Sequence, residues 1–269
     1  MEKSNIIVFS KNRGCQLELF LRSMNKMVDN VEDNNVIIIY KYTTDDYKKG
    51  YDLVKRKYNN FTYVDERDIK SDILHNIDNK LFYTVFFVDD IIFKNKFSFN
   101  DDLMKKYKES VDVICLSLRL APHLTHCYTM NASMKKPEII DNRFDWRRSQ
   151  LDFNYPMSLD GHIFKTNKIL PILRTIGFNS PTVLECRLMD NKDNSKPYMM
   201  CYNESIIVNN PCNRVQTLMK NRYSNVTEMS ENHLNQKFLQ GFIIEYEPFI
   251  GFKNISCHQE LKYNLIKDE

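Results

Sequence analysis

This 269-residue chain predicts an α/β fold with a largely parallel sheet and helices on both of its faces. Two observations carry that expectation. Through the first 120 residues, short apolar runs of strand length alternate with segments whose apolar residues recur at helical spacing. The apolar run over residues 81–88 ends on two adjacent acids, Asp89-Asp90, before a second apolar stretch, Ile91-Ile92-Phe93. Alternation of strand and helix gives crossover connections, hence parallel strands covered on both sides. Ligands of such sheets sit beyond the carboxyl ends of the strands. The loop after Phe9 and the turn holding Asp89-Asp90 are therefore expected on one rim.

The elements follow in order. Residues 5–10 (NIIVFS) form a short apolar strand. In residues 16–27, Leu17, Phe20, Leu21 and Met24 lie at helical spacing. Residues 36–40 (VIIIY) are a buried strand, and residues 45–58 a helix with Tyr47, Tyr51, Val54 and Tyr58 on one side. A third strand at 61–64 and a short helix at 69–77 lead to the strand that carries the acids. Asn100 can cap a helix to about residue 110, and a fifth strand follows at 111–116. Residues 119–156 break the pattern and read as a long polar connection. Loops of that length inside a domain are usually functional or mobile. Residues 156–164 are a turn feeding a strand, and Asn167 is placed to cap the next helix, to about residue 176. Ser180-Pro181 reads as a capping residue followed by proline at the first helical position, opening a helix to about residue 189. Two short strands near 199–202 and 205–208 precede a helix capped by Ser230 that runs to residue 239. Residues 248–269 form a tail with aromatic anchors.

Bulk properties exclude several classes. At 42% hydrophobic and 27% charged residues, the chain can bury a sizeable core. A net charge of +3 is too mild for a nucleic-acid binder, which concentrates basic side chains on one face. Clusters such as Lys48-Lys49 and Arg147-Arg148 read as solvated surface. No run approaches the roughly 20 apolar residues of a membrane span. Residues 1–5 lead straight into a strand without the features of a signal peptide, so a cytoplasmic setting is expected. The seven cysteines include no CxxC pair and read as reduced thiols. The six glycines are too dispersed for a GxGxxG fingerprint or a P-loop, which argues against dinucleotide dehydrogenases and P-loop kinases. The GxSxG elbow of serine hydrolases is missing as well.

Two charges at the lip of a buried strand are costly unless a cation or a polyhydroxyl ligand meets them. Hard carboxylate oxygens suit a divalent ion that grips a diphosphate. A solvated turn is the plain alternative. The opening strand and polar loop Val8-Phe9-Ser10-Lys11-Asn12-Arg13, with Val88-Asp89-Asp90 ending a later strand, resemble the GT-A glycosyltransferases. Asp160-Gly161-His162-Ile163-Phe164-Lys165-Thr166 is similar to the acceptor-side turn and strand of that family. Glu185 sits where many inverting members keep a catalytic acid on a helix. The likeness spans residues 5–215, with Val88 in place of the first acid of the family's Asp-any-Asp motif.

The resemblance implies a Rossmann-like, mostly parallel sheet in one continuous domain. Residues 1–118 would be the nucleotide-sugar half, and residues 119–269 the acceptor half with the tail. It implies transfer of a hexosyl or pentosyl unit from a UDP- or GDP-type donor to a glycan, assisted by Mn²⁺ or Mg²⁺, with inversion preferred. Asp90 would hold the metal, joined by His258, which resembles a late histidine of some members. Asp89 would meet the ribose. Ser10, Lys11, Asn12 and Arg13 would face the nucleotide, where Lys or Arg can meet phosphate or stack on the base. Glu185 and Asp160 are the catalytic candidates, Glu185 as general base near a helix start. As plain structure, Glu185 is a helix-surface acid and Asp160 a turn-former before glycine. Trp146 and His162 are the acceptor-side candidates, and a lone tryptophan also serves as a core anchor. The polar segment 209–216 can line the cleft. Two other classes stand beside this reading: a sugar nucleotidyltransferase, and a catalytically degenerate carbohydrate-binding module.

Overall fold

A computed structural model describes residues 2–216, 222–224 and 226–268. In chain order the first half forms β1 (Ser4–Lys11), α1 (Gly14–Met27), β2 (Asn35–Lys41), α2 (Asp45–Lys57), β3 (Thr62–Asp65) and α3 (Ile69–Asn76). β4 (Tyr83–Val88), β5 (Ile91–Phe93), α4 (Asp102–Glu109) and β6 (Val113–Ser117) follow. The short strands β7 (His126–Cys127), β8 (Ala132–Ser133) and β9 (Arg143–Asp145) come next. They lead to β10 (His162–Lys165), α5 (Thr166–Thr175), α6 (Pro181–Asp190) and β11 (Tyr198–Cys201). The chain closes with β12 (Ile207–Asn209), α7 (Glu231–Leu239), β13 (Phe242–Ile244) and β14 (Leu265–Lys267).

Eight strands build one sheet in the order β3-β2-β1-β4-β10-β6-β11-β9. The first four run parallel, as does β11 beside β6. β10 is antiparallel to both β4 and β6, and β9 is antiparallel to β11 at the edge. The central strands read as unbroken apolar runs because both faces are covered. Alternate residues of β1 divide between two cores. Ile6 and Val8 pack with Leu17, Phe20 and Met24 of α1 and with Tyr51 and Val54 of α2. Ile7 and Phe9 pack on the other side with Ile69 and Ile73 of α3, Leu173 of α5 and Leu184 of α6. Gly14 and Gly50 let α1 and α2 meet closely, since a Cβ on Gly14 would stand 2.9 Å from the Gly50 carbonyl carbon.

Most elements lie where the sequence pattern puts them, and the differences have local causes. The cap of α4 is Asp101, whose side chain accepts from the Met104 N–H, while Asn100 accepts from the Glu2 N–H. α5 starts at Thr166 without a side-chain cap, so Asn167 lies inside it. Val111 is outside β6 and 79% exposed. Residues 119–156 are more ordered than expected. They hold β7, β8 and β9, and they sink Phe144, Trp146 and Phe153 into the core. Polar spacing hid these elements, because single aromatics and two- or three-residue strands leave no period to read. Ser180 and Ser230 cap α6 and α7, each accepting an N–H three residues on. Among the described residues no helix is long and apolar enough to cross a membrane.

Candidate active site

The rim formed by the ends of β1 and β4 is the first half of the site. β1 pairs with β4 up to Phe9 and Val88, so Ser10 and Asp89 emerge side by side. Ser10 Oγ donates to Asp89 Oδ2 at 2.7 Å, and the Lys11 N–H reaches the same oxygen at 3.3 Å. The Tyr51 hydroxyl, from α2, lies 2.8 Å from Ser10 Oγ. Arg13 spans both acids with one nitrogen, at 2.9 Å from Asp89 Oδ1 and 3.2 Å from Asp90 Oδ2. Its Nε donates to Asn213 Oδ1 at 2.7 Å and its other terminal nitrogen to the Asn213 carbonyl at 2.6 Å. Burial works against the Arg13 charge, but Asp89 and Asp90 outweigh it and hold the guanidinium firmly protonated.

Asp90 differs from its neighbour. Burial, with Asp89 and Asp160 nearby, pushes its pKa up to about 6 although Arg13 pulls the other way. The antiparallel pair β12–β5 sets Asn209 opposite Ile91. From there the Asn209 side chain donates to Asp90 Oδ1 at 3.4 Å. A bridge between Asn209 and His258 folds the tail back onto the same place.

The second half of the site hangs on Arg119, a buried cation just beyond β6. It pairs with Asp160 at 3.2 Å and lies 3.6 Å from Asp152. His258 Nε2 lies 3.1 Å from Asp160 Oδ2. Burial disfavours charge on both Asp160 and His258, but their mutual bond prevails. Asp160 falls below the usual carboxylate range, helped by Arg119, and His258 rises above the usual imidazole range. Gly161 makes this turn possible. Its φ is +78°, and a Cβ there would stand 2.3 Å from Ile207 Cδ1. Glu185, in the second turn of α6, accepts the Leu159 N–H at 3.0 Å. Burial and the Asp160 charge raise its pKa.

These two halves face one cavity of about 400 Å³. Ser10, Lys11, Arg13, Asp89, Asp90, Asp160, Glu185 and His258 all line it. Three expected site residues do not. Asn12, at φ 57°, turns away and closes a pair of 2.9 Å hydrogen bonds with Thr43, so it shapes the loop. Trp146 is 2% exposed, and its indole N–H donates to the Lys196 carbonyl. His162 is fully buried on β10, with Nδ1 3.2 Å from the Pro156 carbonyl, and burial beside Arg119 depresses its pKa to about 3. The expectation that Trp146 and His162 meet an acceptor is corrected on those grounds. Both are core side chains. Pattern reading also missed Arg119, Asp152, Tyr128, Lys41 and Glu66. Arg119 left one signal, a single cation within Leu116-Ser117-Leu118-Arg119-Leu120-Ala121.

The donor set suits a divalent cation in part. Asp90 and Asp160 offer hard oxygens, and among the described residues the enclosed His258 Nδ1 has no hydrogen-bond partner. Among the described residues no three His, Cys, Asp or Glu side chains form a ready metal cage. Mg²⁺-type sites commonly take one or two carboxylates and complete their shell with substrate phosphates.

No family model matches the chain. It is similar to the bifunctional glycosyltransferase pgtA of Dictyostelium discoideum, with 26% identity over 254 residues, covering 80% of this chain. The chain spans about a third of that relative, 33% of its length. Among solved structures it is similar to S. aureus TarS 1–349, with a TM-score of 0.46 and 13% identity over 76% of this chain and 59% of that one. A mannosyltransferase, PcManGT of Pyrobaculum calidifontis, solved with GDP-Man and Mn²⁺, gives a TM-score of 0.45 and 13% identity over 79% of this chain and 58% of that one.

Proposed function

We propose that this chain is a metal-assisted, inverting glycosyltransferase. It would move one hexosyl or pentosyl unit from a nucleoside-diphosphate donor to a glycan or glycoconjugate acceptor. The observation that carries the reading is the meeting of Asp89-Asp90 with Asp160, Glu185 and His258 around one cavity. The similarity to a glycosyltransferase over 80% of the chain supports it. In this reading residues 1–118 supply the donor side, and residues 119–269 the acceptor side within one domain. A cytoplasmic setting belongs to the same proposal and agrees with seven unpaired cysteines.

The donor diphosphate lies over the β1 and β4 ends, with Lys11 and Arg13 as its cationic neighbours. Asp89 already accepts from Ser10, the Lys11 N–H and Arg13, so it holds the loop in shape and keeps limited capacity for the ribose. Asp90 and His258 would hold the metal. A Mn²⁺ or Mg²⁺ there would supply charge stabilisation to the departing diphosphate. Glu185 takes the proton of the acceptor hydroxyl as that oxygen attacks the anomeric carbon. The bond between sugar and phosphate then breaks, and its electron pair leaves with the nucleoside diphosphate. The raised pKa of Glu185 makes it a stronger base than an ordinary glutamate. Asp160, held by Arg119 and His258, is positioned to accept from sugar hydroxyls.

A panel of nucleotide sugars and glycan acceptors, incubated with the protein and Mn²⁺, tests this. Acceptor-dependent release of a nucleoside diphosphate is expected. Pyrophosphate release from a nucleoside triphosphate would select a nucleotidyltransferase instead. Glycan binding with no nucleotide affinity would select a binding module.

A further inference from the structure

Lys41 and Glu66 are charged residues of the cavity with no part in the transfer chemistry. Lys41 ends β2, Glu66 directly follows β3, and both line the cavity. Lys41 Nζ lies 3.0 Å from Glu66 Oε1. The Glu66 N–H donates to the Tyr40 carbonyl at 2.9 Å, which fixes where its side chain leaves the sheet. The Glu66 side chain is 16% exposed, while that of Lys41 is 49% exposed and reaches the open side of the cavity.

The sheet itself measures how far this pair stands from the acids. In the order β3-β2-β1-β4, the Glu66 end lies three strand spacings from Asp89-Asp90, about 14 Å at roughly 4.8 Å per spacing. A nucleoside diphosphate with its phosphates at Asp90, laid along this rim, brings its base to Lys41 and Glu66.

The two side chains present an ammonium donor next to a carboxylate acceptor. Guanine offers the matching edge: an O6 acceptor, then the N1 and N2 donors side by side, which a carboxylate can accept together. Uracil offers one donor between two acceptors, so one carbonyl oxygen would face the carboxylate. Adenine and cytosine place a ring acceptor beside their amino group. We infer that Glu66 and Lys41 read the donor base and that this base is guanine, an assignment that rests on the glycosyltransferase reading above.

Calorimetric titration in Mn²⁺ buffer with GDP, IDP, UDP and ADP tests it on the wild type and on Glu66→Gln. IDP lacks only the exocyclic amino group. GDP is expected to bind at least tenfold more tightly than UDP or ADP, with IDP in between. In Glu66→Gln the GDP preference is expected to fall by tenfold or more while UDP affinity changes less than threefold. A UDP affinity equal to or above that of GDP, or a preference unchanged in Glu66→Gln, overturns the base assignment and leaves the transferase reading intact. No binding of any diphosphate overturns both.

Discussion

Asp90 and Asp160 are the same residue type on the same cavity, yet their proton affinities move in opposite directions. Both are buried, and burial alone would raise both. The difference lies in their partners. Asp90 shares one nitrogen of Arg13 with Asp89, so two acids divide one cation. Asp160 has Arg119 at 3.2 Å and the His258 imidazole at 3.1 Å, so a guanidinium and a second nitrogen serve one acid. The Asp89-Asp90 cluster is therefore shorter of positive charge than the Asp160 cluster. An added cation would be most stabilising at Asp90, which is the physical basis for placing the metal there.

The largest expected effect concerns Glu185, which feels the Asp160 charge. Glu185→Gln should lower kcat by about 10²- to 10⁴-fold, the usual worth of a general base. The base works only when deprotonated. Because its pKa is raised, the wild-type rate should fall on acidification at a pH above the ordinary glutamate value, and that limb should vanish from the residual rate of Glu185→Gln. A pH profile of kcat for both proteins checks it. Loss of donor binding with kcat intact would move Glu185 off the base role.

Next in size is the arginine of each cluster. Arg13→Met leaves two buried carboxylates without their cation and should cost about 3–5 kcal/mol of stability. Arg119→Met should cost less, because His258 still pairs with Asp160. Urea denaturation of the two variants at neutral pH compares them. A larger loss in Arg119→Met would reverse the contrast drawn here. Smallest is Ser10→Ala. Asp89 keeps the Lys11 N–H and Arg13, so a loss of about 1.5–3 kcal/mol is expected, the worth of one hydrogen bond to a charged acceptor. The donor KM should rise by no more than a few fold in steady-state kinetics.

The rim at the ends of β1 and β4 was the more legible half. Its strands are unbroken apolar runs and its helices carry clear periods, so Asp89-Asp90 could be put at a strand end beside Ser10 from spacing alone. The side around Asp160 was written in single residues. Asp160 and Glu185 were marked by a turn glycine and a Ser-Pro helix start, and both line the cavity. Arg119, which organises that side, was legible only as an odd cation in an apolar run. Trp146 and His162 misled because residue type suggests a sugar contact, whereas short strands at the sheet edge and the β10 insertion bury them. Lys41 and Glu66 come from different strands, and only the sheet order brings them together.

Asp90 is proposed to grip a cation bound to a donor diphosphate. The direct measurement is thermal unfolding of the wild type and Asp90→Ala, with and without a nucleoside diphosphate and Mn²⁺. Ligand bound to the native state raises the unfolding temperature in proportion to its affinity. The account predicts a rise in the wild type that needs both components and disappears in Asp90→Ala. An equal rise in Asp90→Ala, or none in the wild type with any diphosphate, would contradict it.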